Sequence, residues 1–377
     1  MVIYFLFALI LLYLHIVQDK KTSGIQSFLL FLTALFLCGG YMCGSDWRSY
    51  ELDYTAKEEA LILEPGYYFI ANIAQITGIG FWEFEMLLKL FCLIVLYKYI
   101  DKHCENNKFL CMLFYFSFYA IYLFIDGPLR NLCAITIFIF ALDIYDKSKF
   151  AAIAISLGGI LFHSSSIIAV IYFLCRLLSD KKYVKSYIYV GLYVVAIICS
   201  FQGTLLAELV NGTTIGRSLF AEKLDRYVVF GFGEESMVSS PSSLGELLKI
   251  AFFFLVVSRR KQIESFAEGK TLFFGSMFFF IISKMGASMN VLMRFECYFS
   301  VFYAMVLTAM IDAIVPSLKK IYTISFITLS FMFTYTTVTT DYRFVPYTNY
   351  VVYVLFHQPL PSYSERYNYN FKNTPYK

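Results

Sequence analysis

The sequence predicts an all-α polytopic integral membrane protein, on three observations. Of its 377 residues 59% are hydrophobic and only 15% charged, more apolar surface than a soluble core needs. Apolar runs of about 15–22 residues recur along the whole chain. The basic residues gather in short segments between those runs, the pattern that orients a membrane protein, so the net charge of +4 does not point to nucleic acid. The expectation is a single transmembrane domain over residues 1–377, with no internal repeat, about twelve crossings and both termini outside. Nine cysteines are scattered without CxxC or metal spacing and read as small apolar fillers.

In chain order, Val2–Val17 is the first span. It has no basic residue before it and no small-residue cleavage site after it, so it reads as a span and not a removed signal peptide. Asp19-Lys20-Lys21 closes it on the cytoplasmic side, and residues 28–43 return outward to Gly39-Gly40. Residues 44–80 are an acidic outer loop in which Glu64-Pro65-Gly66 breaks the chain before a short surface helix over 67–76. Residues 81–99 go in to Lys98, Lys102 and Lys108, and 109–125 go out to the turn Asp126-Gly127-Pro128-Leu129-Arg130. Residues 131–145 come back to Asp146-Lys147-Ser148-Lys149.

Residues 150–178 then hold two apolar arms of about 13 residues, each roughly 20 Å as a helix and short of a roughly 30 Å hydrocarbon core. Between them lies His163-Ser164-Ser165-Ser166. A single span would put the later basic loops (176–185, 259–270, 319–320) outside, whereas a short helical hairpin with His163 at its tip keeps them inside, as the positive-inside rule requires. Residues 187–201 lead out to a long periplasmic loop, 204–243. Crossings over 244–258, 271–288, 292–315 and 321–339 end in a tyrosine-rich outer C-terminal tail, 341–377.

On this topology the unusual polar residues collect on the outer face: Asp46-Trp47-Arg48, Asp126 with Arg130, His163-Ser164, and Asn290, Arg294 and Glu296, together with Arg217, Arg226 and Arg343. Outer arginines run against the positive-inside rule, and guanidinium forks match phosphate oxygens bidentately. A pyrophosphate held at headgroup level is one reading. Local pairing is the other: Arg48 with Asp46, Arg130 with Asp126, Arg294 with Glu296. His163 is either a general base or a hydrogen-bonded residue holding its turn. Asp46 is a rival base, or it caps or orients. Glu64-Pro65-Gly66 reads as structural. Trp47, Tyr50 and Trp82 either stack on sugar rings or belong to an interfacial aromatic belt. Lys89, Lys249 and Lys284 fall in or near spans, where a cation must be paired or face a cavity.

The order of these motifs resembles the EpsG/Wzy family of polysaccharide polymerases. The motifs are Gly44-Ser45-Asp46-Trp47-Arg48-Ser49-Tyr50, Glu64-Pro65-Gly66-Tyr67, Arg130-Asn131-Leu132-Cys133-Ala134-Ile135, Leu161-Phe162-His163-Ser164-Ser165, Met293-Arg294-Phe295 through Tyr298-Phe299, and Val345-Pro346-Tyr347. The sequence departs from the family pattern in the third serine of the hairpin and in the loop 204–243. The resemblance implies a multi-pass bacterial inner-membrane enzyme working at its periplasmic face, with undecaprenyl-pyrophosphate-linked oligosaccharide and the lipid bilayer as partners, alongside a chain-length regulator and a flippase. It would join repeat units into O-antigen, capsule or exopolysaccharide. It implies Arg130, Arg294 and Arg217 on pyrophosphate, His163 or Asp46 as base, and Trp47, Arg48, Tyr50, Ser164 and Glu296 on substrate, without metal or cofactor. A flippase would place polar groups near the midplane and on both faces, often with an internal repeat. A glycan ligase would share the chemistry and differ in acceptor.

Overall fold

The computed structural model describes residues 1–18, 23–56, 64–104, 107–200, 244–286 and 290–374 and is almost entirely helical. The predicted loop 204–243, with Arg217 and Arg226, lies outside the described residues. The chain divides into two compact units, Met1–Val170 with Leu307–Lys377, and Ile171–Val306.

In the first unit the helices are α1 (Val2–Val17), α2 (Ser23–Cys38), α3 (Trp47–Ala56), α4 (Pro65–Ile76), α5 (Phe81–His103), α6 (Lys108–Tyr115), α7 (Leu129–Tyr145) and α8 (Lys149–Gly158). Helix α6 continues as a π-helix, Phe116–Asp126. Together they form a 19-residue apolar span, 89% of whose most apolar window is buried, whereas the 25-residue helix Pro316–Thr340 is only 22% buried and turns its apolar surface outward. The first is therefore central and the second peripheral. By length and apolarity these two helices can cross a membrane, or three if the pair Leu292–Tyr298 and Ser300–Ala313, bent by 53°, counts as one span. Helix length among the described residues thus does not return the twelve crossings predicted.

The segment at 47–56, expected as loop, is helix α3. Trp47, Tyr50 and Tyr54 recur at helical spacing and are all buried, so one face packs into an aromatic cluster with Tyr67, Phe81, Trp82 and Phe84. That burial outweighs the acidic residues that made the stretch read as solvated. Helix α4 starts on Pro65, which fits a first turn because its missing N–H would have no partner there. Ser148 caps α8 by accepting the Ala151 amide at 3.3 Å, as short hydroxyl side chains do. Inside α5, the buried Lys89 pairs with Glu85 at 2.7 Å, so a charge inside an apolar helix has its counter-ion one turn away.

The helix breaks after α8. A 3-10 turn (Gly159–Leu161), His163 in an extended conformation, and a second 3-10 turn (Ser164–Ser166) follow. The Ser166 hydroxyl donates to the Ser156 carbonyl at 3.3 Å. Ten residues of straight helix would separate these by about 15 Å, so the helix break expected around His163 is present.

The C-terminal segment is tied back onto the first two helices. Strand β1 (Gly40–Tyr41) pairs antiparallel with β2 (Thr348–Asn349), Gly40 opposite Asn349. The Tyr4 hydroxyl donates to the Phe344 carbonyl and the Tyr347 hydroxyl to the Phe36 carbonyl, both at 2.6 Å.

The second unit takes in most of α9 (Ile167–Lys181), α10 (Ser186–Ser200) and helices Leu244–Ser258, Arg260–Glu264, Gly269–Gly286 and Asn290–Tyr298. Helix Gly269–Gly286 is its core, with α10 and Leu244–Ser258 packed on it. Tyr193 stacks on Phe253 with centroids 3.9 Å apart.

Candidate active site

Two segments of the first unit meet at the Glu64 carboxylate, and a third reaches it through Arg130. Glu64, at the start of α4, is 2% exposed. Its Oε2 lies 2.9 Å from Arg130 Nη1, and its Oε1 lies 3.5 Å from His163 Nδ1. Arg130 stands in the first turn of α7, and its Nε donates to the Tyr50 hydroxyl at 3.3 Å. Its guanidinium sits 5.0 Å over the Tyr50 ring. Burial pushes the Tyr50 phenol up to about 12 against the opposing pull of Arg130, so the phenol keeps its own proton while accepting from the arginine. Arg130 Nη2 makes no hydrogen bond to the described residues, and the side chain is 26% exposed. One edge of the fork is thereby left for a ligand.

His163 Nδ1 has two neighbours that favour opposite tautomers. The Ser165 amide donates to it at 3.3 Å, which places the proton on Nε2. The Glu64 carboxylate at 3.5 Å favours a proton on Nδ1, which leaves Nε2 basic. Ser165 in turn donates its hydroxyl to Asn131 Oδ1 at 3.1 Å, tying the hairpin tip to the residue after Arg130. Gly66 lets the hairpin come close to α4: a Cβ there would stand 3.0 Å from the Phe162 ring and 3.1 Å from the Leu161 carbonyl. The three residues Glu64-Pro65-Gly66 therefore supply the acid, the helix start and the close approach. Reading them only as a chain break missed the centre of the site. The available signal was the acid placed directly before Pro-Gly, within a motif that the family resemblance had already marked.

An apolar cavity of about 390 Å³ lies among neighbouring residues of the same helices, though none of Glu64, Arg130 and His163 lines it. Phe162, adjacent to His163, lines it with Cys133, one turn along α7 from Arg130, and with Ile70, Phe84, Leu88 and Phe91.

The other predicted site residues fall as follows. The local pairing of Arg130 with Asp126 is not what forms. Asp126 instead takes Arg343, whose Nη1 also bonds Ser45 Oγ at 2.9 Å, while Nε and Nη2 grip Asp341. Asp46 lies within electrostatic reach of both Tyr50 and Arg343. Trp47 is 1% exposed, with its ring centroid 5.3 Å from Trp82 and 6.0 Å from Tyr363, so its faces are occupied by protein. Arg48 lies 4.2 Å over the Tyr367 ring. Ser164 opens the second 3-10 turn, half-buried.

Arg294 and Glu296 belong to the second unit, on helix Asn290–Tyr298. Glu296 is buried and accepts from Lys249 Nζ at 3.1 Å. Lys249 also donates to Ser283 Oγ at 2.7 Å and faces Glu246 at 3.3 Å, and Glu246 pairs with Lys284 at 3.4 Å. The lysines expected in or near spans are thus paired.

These features define a helical membrane protein with an arginine–glutamate–histidine cluster whose sequence neighbours line an apolar cavity. The chain belongs to the EpsG family, whose model matches residues 24–349. Comparison with curated proteins and with solved structures gave no match.

Proposed function

We propose that the protein is a Wzy-type glycosyltransferase that joins undecaprenyl-pyrophosphate-linked repeat units at the periplasmic face of the bacterial inner membrane. The carrying observation is that Glu64 bridges Arg130 and His163 beside an apolar cavity. EpsG membership agrees with it.

In this reading the cavity takes the start of the prenyl chain, and Arg130 holds the pyrophosphate through the edge of its fork that Glu64 and Tyr50 leave over. An acceptor hydroxyl attacks the anomeric carbon of the growing chain. The new C–O bond forms as the bond to pyrophosphate breaks, and its electron pair leaves on the phosphate oxygen. The hydroxyl proton passes to Nε2 of His163. The tautomer that acts carries its proton on Nδ1, facing Glu64, and Glu64 stabilises the imidazolium that forms, the role of the third member of a catalytic triad. Arg130 is worth most as charge develops on the leaving pyrophosphate. Asp46 bears on the same corner through Tyr50. Arg294 lies in the other unit and Arg217 outside the described residues, so the reading is carried by the first unit alone.

The test is a glycan gel from cells lacking the gene, complemented with wild type or with Arg130→Ala. A single repeat unit in the deletion strain, with the ladder restored by wild type alone, supports the polymerase. Long chains stranded on undecaprenyl pyrophosphate would identify a ligase instead, and loss of periplasmic repeat units a flippase.

A further inference from the structure

A second cavity, of about 260 Å³, lies wholly within the other unit. It is bounded by the end of α9, the start of α10, helix Arg260–Glu264 and the first turn of Gly269–Gly286. Arg176 and Arg260 line it, each 7% exposed, together with the exposed Lys270. Asp180 and Glu264 are the acidic lining residues, so the lining carries a net positive charge.

Arg260 is held rigidly. Its Nε bonds Glu264 at 2.7 Å and its Nη1 the Val184 carbonyl at 2.6 Å, and its guanidinium lies 4.3 Å from the Tyr183 ring centroid and 4.7 Å from that of Phe273. Arg176 bonds Thr271 Oγ1 at 2.6 Å and the Tyr172 hydroxyl at 3.4 Å. Such bonds hold two guanidiniums in fixed positions at the rim of the cavity. The start of the 18-residue helix Gly269–Gly286 adds the positive end of its dipole.

Most of the lining belongs to two of the basic loops, 176–185 and 259–270, that the charge pattern puts on the cytoplasmic side. Basic pockets between helices on that side receive phosphate-bearing head groups. Tyr183, 65% exposed, stands at the rim as an interfacial aromatic does.

We propose that this pocket, formed by Arg176, Arg260 and Lys270 with an aromatic wall, binds a phosphate group, presented by an anionic phospholipid of the cytoplasmic leaflet. The site is separate from the Glu64 cluster, and nothing in it depends on the polymerase reading.

The experiment measures thermal unfolding and lipid binding of the purified full-length protein in phosphatidylcholine vesicles, with and without phosphatidylglycerol, and in inorganic phosphate. Stabilisation by phosphatidylglycerol and not by phosphate is expected, together with about fivefold weaker binding for Lys270→Ala. Lys270 is an exposed residue, so its loss leaves the fold intact, whereas Arg260→Ala removes an internal ion pair as well. Equal stabilisation by inorganic phosphate would reassign the source to a soluble phosphate and overturn the lipid. Unchanged stability in both, or a Lys270→Ala protein that binds like wild type, would overturn the site.

Discussion

Arg343 and Arg130 are both arginines of the first unit, and their surroundings divide them. Arg343 spends every nitrogen on the protein: Nε and Nη2 on Asp341, Nη1 on Ser45 and Asp126. It closes the corner where the segment after α2, the end of the π-helix and the C-terminal segment meet. Arg130 spends Nε on Tyr50 and Nη1 on Glu64, with Nη2 left over and a cavity alongside. A guanidinium whose donors are all used inside is a fastener, and one with an edge remaining is equipped to bind. An arginine on the outer face is therefore not evidence of a ligand until its partners have been counted.

This contrast can be broken by experiment. Arg343→Ala leaves Asp126 and Asp341 without their cation and is expected to cost about 3–5 kcal/mol of stability, read by thermal unfolding in detergent, with activity per folded molecule kept. Lost polymerisation at unchanged stability would place Arg343 in the site instead. Arg130→Ala is the converse: near-normal folding, with chain extension down by about 10²–10³-fold, the size of a lost transition-state donor, measured with lipid-linked substrate at matched protein levels. Full activity in that variant would end the pyrophosphate assignment.

His163→Ala should lower extension by about 10²-fold. Glu64→Gln should also lower it, because an amide neither holds the imidazolium nor pairs with Arg130. If Glu64→Gln were silent while His163→Ala was not, His163 would act without its orienting acid. The smallest effect expected is Gly44→Ala, at about 1–3 kcal/mol. Gly44 has φ +80, and a Cβ would fall 2.4 Å from the Asp126 Cα, so the variant loosens the Arg343 corner and leaves Arg130 alone. Equal stability of Gly44→Ala and wild type would mean the corner tolerates the shift.

The amino-acid sequence by itself determined the helical membrane class and the break at His163, and singled out Arg130 as a candidate, because apolar period, charge asymmetry and residue chemistry are local properties. It also carried the family motifs. Which acid meets which arginine was decided by tertiary structure. Asp126, four residues from Arg130 in sequence, was the natural partner to expect, yet α7 starts beyond Gly127-Pro128 and turns Arg130 toward Glu64, 66 residues away in sequence. Trp47 shows the same limit from the other side. Its chemistry suits a sugar ring, but helix α3 buries it against Trp82 and Tyr363, and only packing decides whether an aromatic face is open. Long-range pairing of buried charge is set by which helix ends converge, and that depends on how the helices pack as a whole.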